Sequence, residues 1–518
     1  MRKGSITIFA SLSLMLVASV LLVLAEGARV RSGEVLAEQN TEAVVESLFS
    51  QYEIPLWENY HLLARYIPVQ EGNLALSGLE IEGEQLTQAN ANPEGTLFWK
   101  NHFMRMEQTQ MVFSSYTLLT DDNGKAFQAA VSSYLKENLL TSLLEQPDSA
   151  FQELLQKDSD NKDSNNKDSS EIGTNSLDSI DKALDSIEEE KKKAQEENSS
   201  ENTSGGSGTS FGEGSSQKKK VKENPLEVVK EFQSKGILSL VMEDTSKLSD
   251  ENIDLNSAVS GRTLNQGINP TQYESSWYDP VLMQQYYKMV FSDFMSEEEG
   301  KSLSYEMEYL LCGKESDVEN LKAVVYRLLA VREVANLVTL ATDSARQSEA
   351  LTIATAIGGF TGNPAVIEVV RVGILAAWAF VESILDIRSL LQGEKIPLIK
   401  SQDQWTSDIW GLSNSTGNYA KAKKCSTGLS YSQYLQNLLY LQNSATTAYR
   451  AMDLQEMAIR QMEGYEDFRM DQAIIAMEVE MGYEIEPMFL TNVTIGNVSL
   501  QPFSLQTSCK YSYLKAGV

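Results

Sequence analysis

From Ile6 to Ala25 the chain runs twenty residues without an ionisable side chain. As a helix that stretch spans about 30 Å, one hydrocarbon core. The pattern predicts a transmembrane helix over 6–25, preceded by a short segment, 1–5. Past Ala25 the apolar positions thin to a stripe. Val30, Ala37 and Val44 recur every seven residues, with Val45, Leu48 and Tyr52 nearby. The helix is therefore predicted to continue out of the apolar run to Tyr52 and to be interrupted at Pro55. Residues 67–105 are mixed, with turn material at Asn90 to Gly95. Met106 to Thr120 alternates as a strand or two and ends at Asp121-Asp122-Asn123-Gly124, a turn cluster. Phe127, Val131, Leu135 and Leu139 then recur every four residues, which predicts a helix to about Gln146.

The pattern breaks off at Pro147. Residues 147–224 contain DSDNKDSNNKDSS, EEEKKKAQEENSS and SGGSGTSFGEGSS. Such a stretch buries too little apolar surface to offset its ordering entropy, so it reads as a long disordered insertion. Within it Leu177, Ile180, Leu184 and Ile187 have helical spacing, read as a transient helix, with a docking segment as the alternative.

From Pro225 the patterning resumes. Val228, Val229 and Phe232 begin a helix, and Ile237 to Met242 reads as a short strand. Residues 243–275 read as loop, 303–312 as a strand ended by Gly313, and 317–357 as one or two helices. Asn363-Pro364 starts a helix that runs to about Leu391, and helices continue through 430–462. Ile475, Met477, Val479, Met481, Tyr483 and Ile485 alternate as a strand, and Cys509, Tyr511 and Tyr513 mark a last one. The expected fold class is α+β: a helix-dominated external region with antiparallel strands, in segments 26–146 and 225–518, forming one interrupted domain or two.

The 365–391 helix is a second apolar run. Glu368, Arg371, Glu382 and Asp386 share one of its faces, and only ten uncharged residues separate Arg371 from Glu382. That is too few to span a bilayer, so it reads as a core helix with a polar edge.

The flanks of the first run set its expected orientation. Arg2 and Lys3 precede it; after it Arg29 and Arg31 are offset by Glu26, Glu34 and Glu38. With the cleaner basic flank first and a large region following, the N-terminus is expected in the cytoplasm and the rest outside the cell membrane. Glu26 and Arg29, three apart, can pair on one helical face. The competing reading is a signal peptide cut after Val23-Leu24-Ala25, which would release a secreted binding or adhesion module. Signal h-regions run roughly 7–15 residues, and the spanning length here favours an uncleaved anchor.

Composition narrows the partners. The net charge of −29 repels phosphate backbones, so no nucleic-acid partner is expected. Three distant cysteines, Cys312, Cys425 and Cys509, form no CxxC motif and allow at most one internal disulfide.

Candidate chemistry is sparse. Gly208-Thr209-Ser210-Phe211-Gly212 has the GxSxG form but lies in a Gly/Ser-rich stretch, where no strand-to-helix elbow is expected. The two histidines, His61 and His102, lack metal-ligand spacing and read as packing or helix-surface residues. Asp158, Asp160 and Asp163 resemble a calcium loop, but Lys162 and Asp163 stand where the loop needs an oxygen ligand and Gly. Gly358 to Gly362 lacks a following Lys and a preceding strand, and reads as a helix–helix turn. No cofactor, metal or enzymatic activity is expected.

The N-terminal Arg-Lys-Gly-Ser, the spanning run, Glu26-Gly27-Ala28-Arg29 and the helical continuation resemble tight-adherence (Tad) pilus-associated membrane proteins. YTLLTDDNGKAF (116–127), LSYEMEYLLCGKESDVENL (303–321), AWAFVESILDIRSLLQGEKIPL (377–398) and LSYSQYLQNLLYL (429–441) extend the resemblance. Together they look like an uncharacterised Gram-positive family associated with Tad-type pilus and secretion loci, with a pseudopilin-like N-terminus. The resemblance implies a non-enzymatic, single-pass accessory or assembly component whose partners are other membrane or apparatus proteins. It has one departure. Prepilins carry glutamate at the fifth residue after the cleaved glycine; counted from Gly4, that residue is Phe9, which counts against processing and polymerisation as a major pilin.

Overall fold

The computed structural model describes residues 2–70, 72–91, 106–138, 174–199, 224–274, 276, 279–296, 301–416, 420–489 and 501–514. In chain order the elements are α1 (Arg2–Ser50), α2 (Ile54–Tyr60), β1 (Arg65–Tyr66), β2 (Val69–Gln70), β3 (Asn73–Leu74), α3 (Leu76–Ala91), β4 (Met106–Leu118), α4 (Lys125–Asn138), α5 (Thr174–Ser199), α6 (Pro225–Gln233) and α7 (Ile237–Val241). There follow α8 (Asp279–Val290), α9 (Glu306–Cys312), α10 (Asp317–Thr342), α11 (Ser344–Gly358), α12 (Pro364–Leu390), α13 (Leu412–Thr416), α14 (Tyr431–Tyr440), α15 (Ser444–Arg460), β5 (Ala473–Ile485) and β6 (Phe503–Ser512). Helix dominates and the strand pairs are antiparallel.

The chain divides into two compact units: Met1–Leu143 with Val259–Tyr286 and Ala451–Val518, and Leu144–Ala258 with Tyr287–Arg450. The first unit draws on three separate stretches of chain because β5, late in the sequence, is the partner of β4.

In the first unit α1 is one helix of 49 residues. Nothing in it breaks the backbone ladder until Ser50. Pro55, which lacks an amide hydrogen, then sits in the first turn of α2, where none is needed. From Ala37 onward α1 lays Val44, Val45, Leu48 and Phe49 on a sheet. The odd-numbered residues of β5, Met477 to Ile485, supply the facing surface, as the strand period of two requires. β5 is the central strand, with β4 along one edge and β1 and β6 along the other. A loop from Ser260 to Tyr273 is fixed by acids of the same unit. Arg262 pairs with Glu456 and Asp471 at 2.6 Å each, and Ser260 bonds Asp453. Gly267 is needed there, because a Cβ would collide with the Tyr116 carbonyl and the Asp121 carboxylate.

In the second unit α12 is the central element, buried almost continuously from Gly373 to Leu390. Its polar edge divides in two. Arg371 and Glu368 pair near the surface, whereas Glu382 and Asp386 are fully buried. Asp386 accepts from Arg332 Nε at 2.9 Å and Nη2 at 2.8 Å, and Lys400 bridges Asp386 and Glu382. Glu382 also accepts the Thr406 and Ser407 amides at 3.1 and 2.8 Å, and Arg332 donates to the Pro397 and Leu398 carbonyls. Two cations and two anions cancel, and their remaining hydrogen-bonding atoms hold the 397–407 loop, so the charges are tolerated in the core.

Three expectations are corrected. Residues 303–312 and 237–242 are not strands but α9 and α7. Both are short and almost wholly buried, Glu306 and Glu308 of α9 included, so periodicity cannot assign them. Part of the expected disordered insertion is α5, and Ile180, Ala183 and Ile187 are buried. A Cβ on Gly373 of α12 would stand 2.6 Å from the Ala183 Cβ and 3.1 Å from the Ser179 carbonyl oxygen, so the helices meet closely at that glycine. Packing supplied by α12 outweighs the polar composition around the island, which makes it a docked helix instead of a transient one. The rest of the insertion lies outside the described residues, apart from Asn224.

Candidate functional site

The flank residues singled out by sequence are Arg2, Lys3, Glu26 and Arg29. Arg2 and Lys3 lie in the first turn of α1, and their side chains are outside the described residues. Glu26 and Arg29 form the site. Ile6 to Leu24 presents apolar side chains outward all round the helix; one turn later both charged residues are only 2 % exposed. Helical spacing of three puts them side by side. Arg29 donates to Glu26 Oε1 from Nε at 2.9 Å and from Nη2 at 2.5 Å.

What buries them is distant in sequence. After β5 the chain returns across α1, and the amides of Met488 and Phe489 donate to Glu26 Oε2 at 3.1 and 2.7 Å. Arg29 in turn donates to the Glu486 carbonyl. The pair thus clasps residues 486–489 against the helix where the apolar run ends. Arg31, the other arginine after the run, is 81 % exposed and pairs with Glu34 at the surface. Burial acts to raise the Glu26 pKa. The Arg29 hydrogen bond, the two amides and the Arg29 charge outweigh it and hold the carboxyl below the usual range. An ionised carboxylate ringed by donors is a fastener and a poor proton donor. Fourteen residues along, Asn40 and Thr41 repeat the device. Both bond the Tyr483 hydroxyl, at 3.0 and 2.9 Å, and Thr41 reaches Thr507 of β6.

Residues 486–489 escaped sequence reasoning, because no local pattern marks a backbone amide that will meet a carboxylate more than four hundred residues away. The remaining candidates fall elsewhere. His61 ends α2 in a left-handed conformation, φ 57°, with its ring stacked on Tyr134 at 4.6 Å. Gly358 to Gly362 forms the turn between α11 and α12. The GxSxG match, His102 and Asp158, Asp160 and Asp163 lie outside the described residues. Cys312, Cys425 and Cys509 are all free thiols. Among the described residues no cluster of three or more His, Cys, Asp or Glu is arranged to hold a metal ion.

Residues 215–485, just over half of the chain, match the family of unknown function (DUF5702). The match takes in α6 to α15 and β5 and leaves out α1 to α5 and the other strands. No curated protein matches, and no solved structure matches.

Proposed function

The chain belongs to the DUF5702 family, a family of unknown function, and we propose that it is a single-pass, membrane-anchored accessory or assembly component of a Tad-like pilus or secretion apparatus. In this reading residues 6–25 cross the cell membrane with the N-terminus in the cytoplasm, and the remainder works outside. The role is non-enzymatic, and the partners are other membrane or apparatus proteins. The apparatus context rests on the sequence resemblance.

One observation carries the anchor. A single unbroken helix is wholly exposed and apolar over a bilayer's thickness, then becomes a core element of a folded unit without a joint. An apolar face of that kind is stable against lipid or other apolar helices and costly in water. The Glu26–Arg29 clasp stiffens the exit, so a force or displacement on the anchor reaches the sheet through one rigid helix.

The test is the mature N-terminus, read by mass spectrometry on protein recovered from membrane and medium. An intact start in the membrane fraction is expected. A mature chain beginning at Glu26 in the medium would overturn the anchor and favour the secreted module. A start at Ser5 in the membrane would point to pilin-type processing despite Phe9.

A further inference from the structure

The buried network of α12 holds a primary amine against two carboxylates. Lys400, Glu382 and Asp386 are all 0 % exposed, and the Lys400 Nζ touches Glu382 Oε1 and Asp386 Oδ1. The Glu382 carboxyl carbon is at most one carbon–oxygen bond beyond the first contact, close to the separation of about 3–3.5 Å from which bonds form.

The two carboxylates are held differently. Asp386 gives Oδ2 to Arg332, at 2.9 and 2.8 Å, and to the Asn336 side-chain amide at 3.1 Å, and turns Oδ1 to Lys400. Among the described residues Lys400 is the one cation on Glu382. Glu382 Oε2 accepts the Ser407 amide at 2.8 Å and the Thr406 amide at 3.3 Å. Two consecutive backbone amides on one carboxyl oxygen are donors placed for negative charge growing there during attack at the carbon.

We propose that Lys400 and Glu382 join in an isopeptide bond, with Asp386 moving the protons, and that the contacts described above are the reactant arrangement of this self-made staple. Asp386 Oδ1 takes a proton from the Lys400 ammonium and passes it to Glu382 Oε1. The freed Nζ electron pair attacks Cδ, and the carbonyl pair moves onto Oε2, against the two amides. A second Nζ proton follows the same route to Oε1. The Cδ–Oε1 bond then breaks with its electron pair, Oε1 leaves as water, and the carbonyl re-forms at Oε2. An ammonium and a carboxylate become one amide and one water; Asp386 ends as it began, and nothing is oxidised or reduced.

Charge assigns the roles. Joining Lys400 to Glu382 removes one cation and one anion and leaves Arg332 paired with Asp386. Joining Lys400 to Asp386 would leave Glu382 ionised in the core without a cation and Arg332 facing a neutral amide, a costly arrangement. The bond would tie α12 to the 397–407 loop between side chains eighteen residues apart. Because Cys312, Cys425 and Cys509 are free thiols, no disulfide supplies such a closure among the described residues. The inference is independent of the anchor and of the apparatus reading.

The test is read on the full chain, purified in detergent, denatured and digested with trypsin. The bond blocks cleavage after Lys400, so peptide 372–388 should appear joined to peptide 396–421 and lighter than the two together by one water, with fragmentation placing the bond at Glu382. Free peptide 396–400 as the main product would overturn the proposal, and a bond at Asp386 would overturn the assignment of roles. Acetic anhydride on the denatured chain gives a second reading: Lys395 and Lys421 should be acetylated and Lys400 spared, and acetylated Lys400 as the main form would overturn the bond. Lys400→Arg, which keeps the charge and cannot link, should release peptide 401–421. Asp386→Asn should leave 382 and 400 unjoined; linkage to the native extent would overturn the role of Asp386. The first two readings use the native sequence, so they decide the proposal even where a variant fails to fold.

Discussion

Among the described residues two helices are long and apolar enough to cross a membrane, and the fold treats them oppositely. The apolar window of α1 is 0 % buried, whereas that of α12 is 61 % buried. The difference lies in their charges and in what answers them. α1 has no ionisable side chain between Ile6 and Ala25 and asks nothing of its surroundings except that they be apolar. α12 carries Glu382 and Asp386, and the protein supplies Arg332, Lys400 and two loop amides to meet them. Burial acts to raise the Asp386 pKa, but the Arg332 and Lys400 charges dominate and hold it below the usual range, so the pair is ionic in the core. An apolar helix becomes a core helix when its few charges are neutralised from neighbouring elements; without such charges nothing ties it to the domain. The exposed residues of α12 are at its N-terminal end.

Breaking the buried network should have the largest effect. Asp386→Asn leaves Arg332 and Lys400 facing one carboxylate, and loss of one member of a buried pair costs about 3–5 kcal/mol. Denaturant unfolding should report that loss, whereas Glu368→Gln at the solvated end of the same helix should cost under about 1 kcal/mol. Glu26→Gln comes next. It strips the charge from a carboxylate with four donors and should cost about 2–3 kcal/mol locally. Amide exchange at 486–489 should rise while membrane retention of α1 is unchanged, which would separate the anchor from its clasp. Gly373→Ala should cost about 1–3 kcal/mol by forcing Ala183 and Ser179 off α12, with proteolysis between 174 and 199 as the readout.

A pH slope probes a different buried acid. Glu308 of α9 is fully buried, and burial lifts its pKa to about 8, against the bonds from the Tyr431 hydroxyl at 2.6 Å and the Phe294 amide at 3.0 Å. Asp293 adds to the rise; Cys312 nearby is a neutral thiol, its own pKa raised by burial, with Arg327, Arg450 and Lys314 around it. Because the folded value lies above the unfolded one, this contribution to stability is complete below about 4.5 and is lost as pH rises towards 8. Its slope is at most about 1.4 kcal/mol per pH unit. Glu308→Gln should flatten the slope across that window in melting experiments; an unchanged slope would mean the acid titrates normally.

Much of the fold is legible locally. The continuation of α1 past Ala25, the alternation of β5, the Asn363-Pro364 start of α12 and the helical character of 317–357, left as one helix or two, follow from periodicity, caps and breakers. Where reading failed, burial was the reason. In α9 both Glu306 and Glu308 are buried beside Tyr305 and Tyr309, so the alternation of polar and apolar letters did not correspond to two faces. In α5 a low-complexity setting masked a stripe that matters only because α12 is there to receive it.

The sequence by itself determined the spanning run, its helical exit and the possibility of a Glu26–Arg29 pair, because these depend on backbone geometry within a few turns. Only the tertiary structure decided that the pair would clasp Glu486 to Phe489, that β5 would join β4, and that Arg332 and Lys400 would meet the acids of α12. Those outcomes depend on partners beyond the few turns a local pattern covers, and a contact between distant residues leaves no period in the chain that carries it.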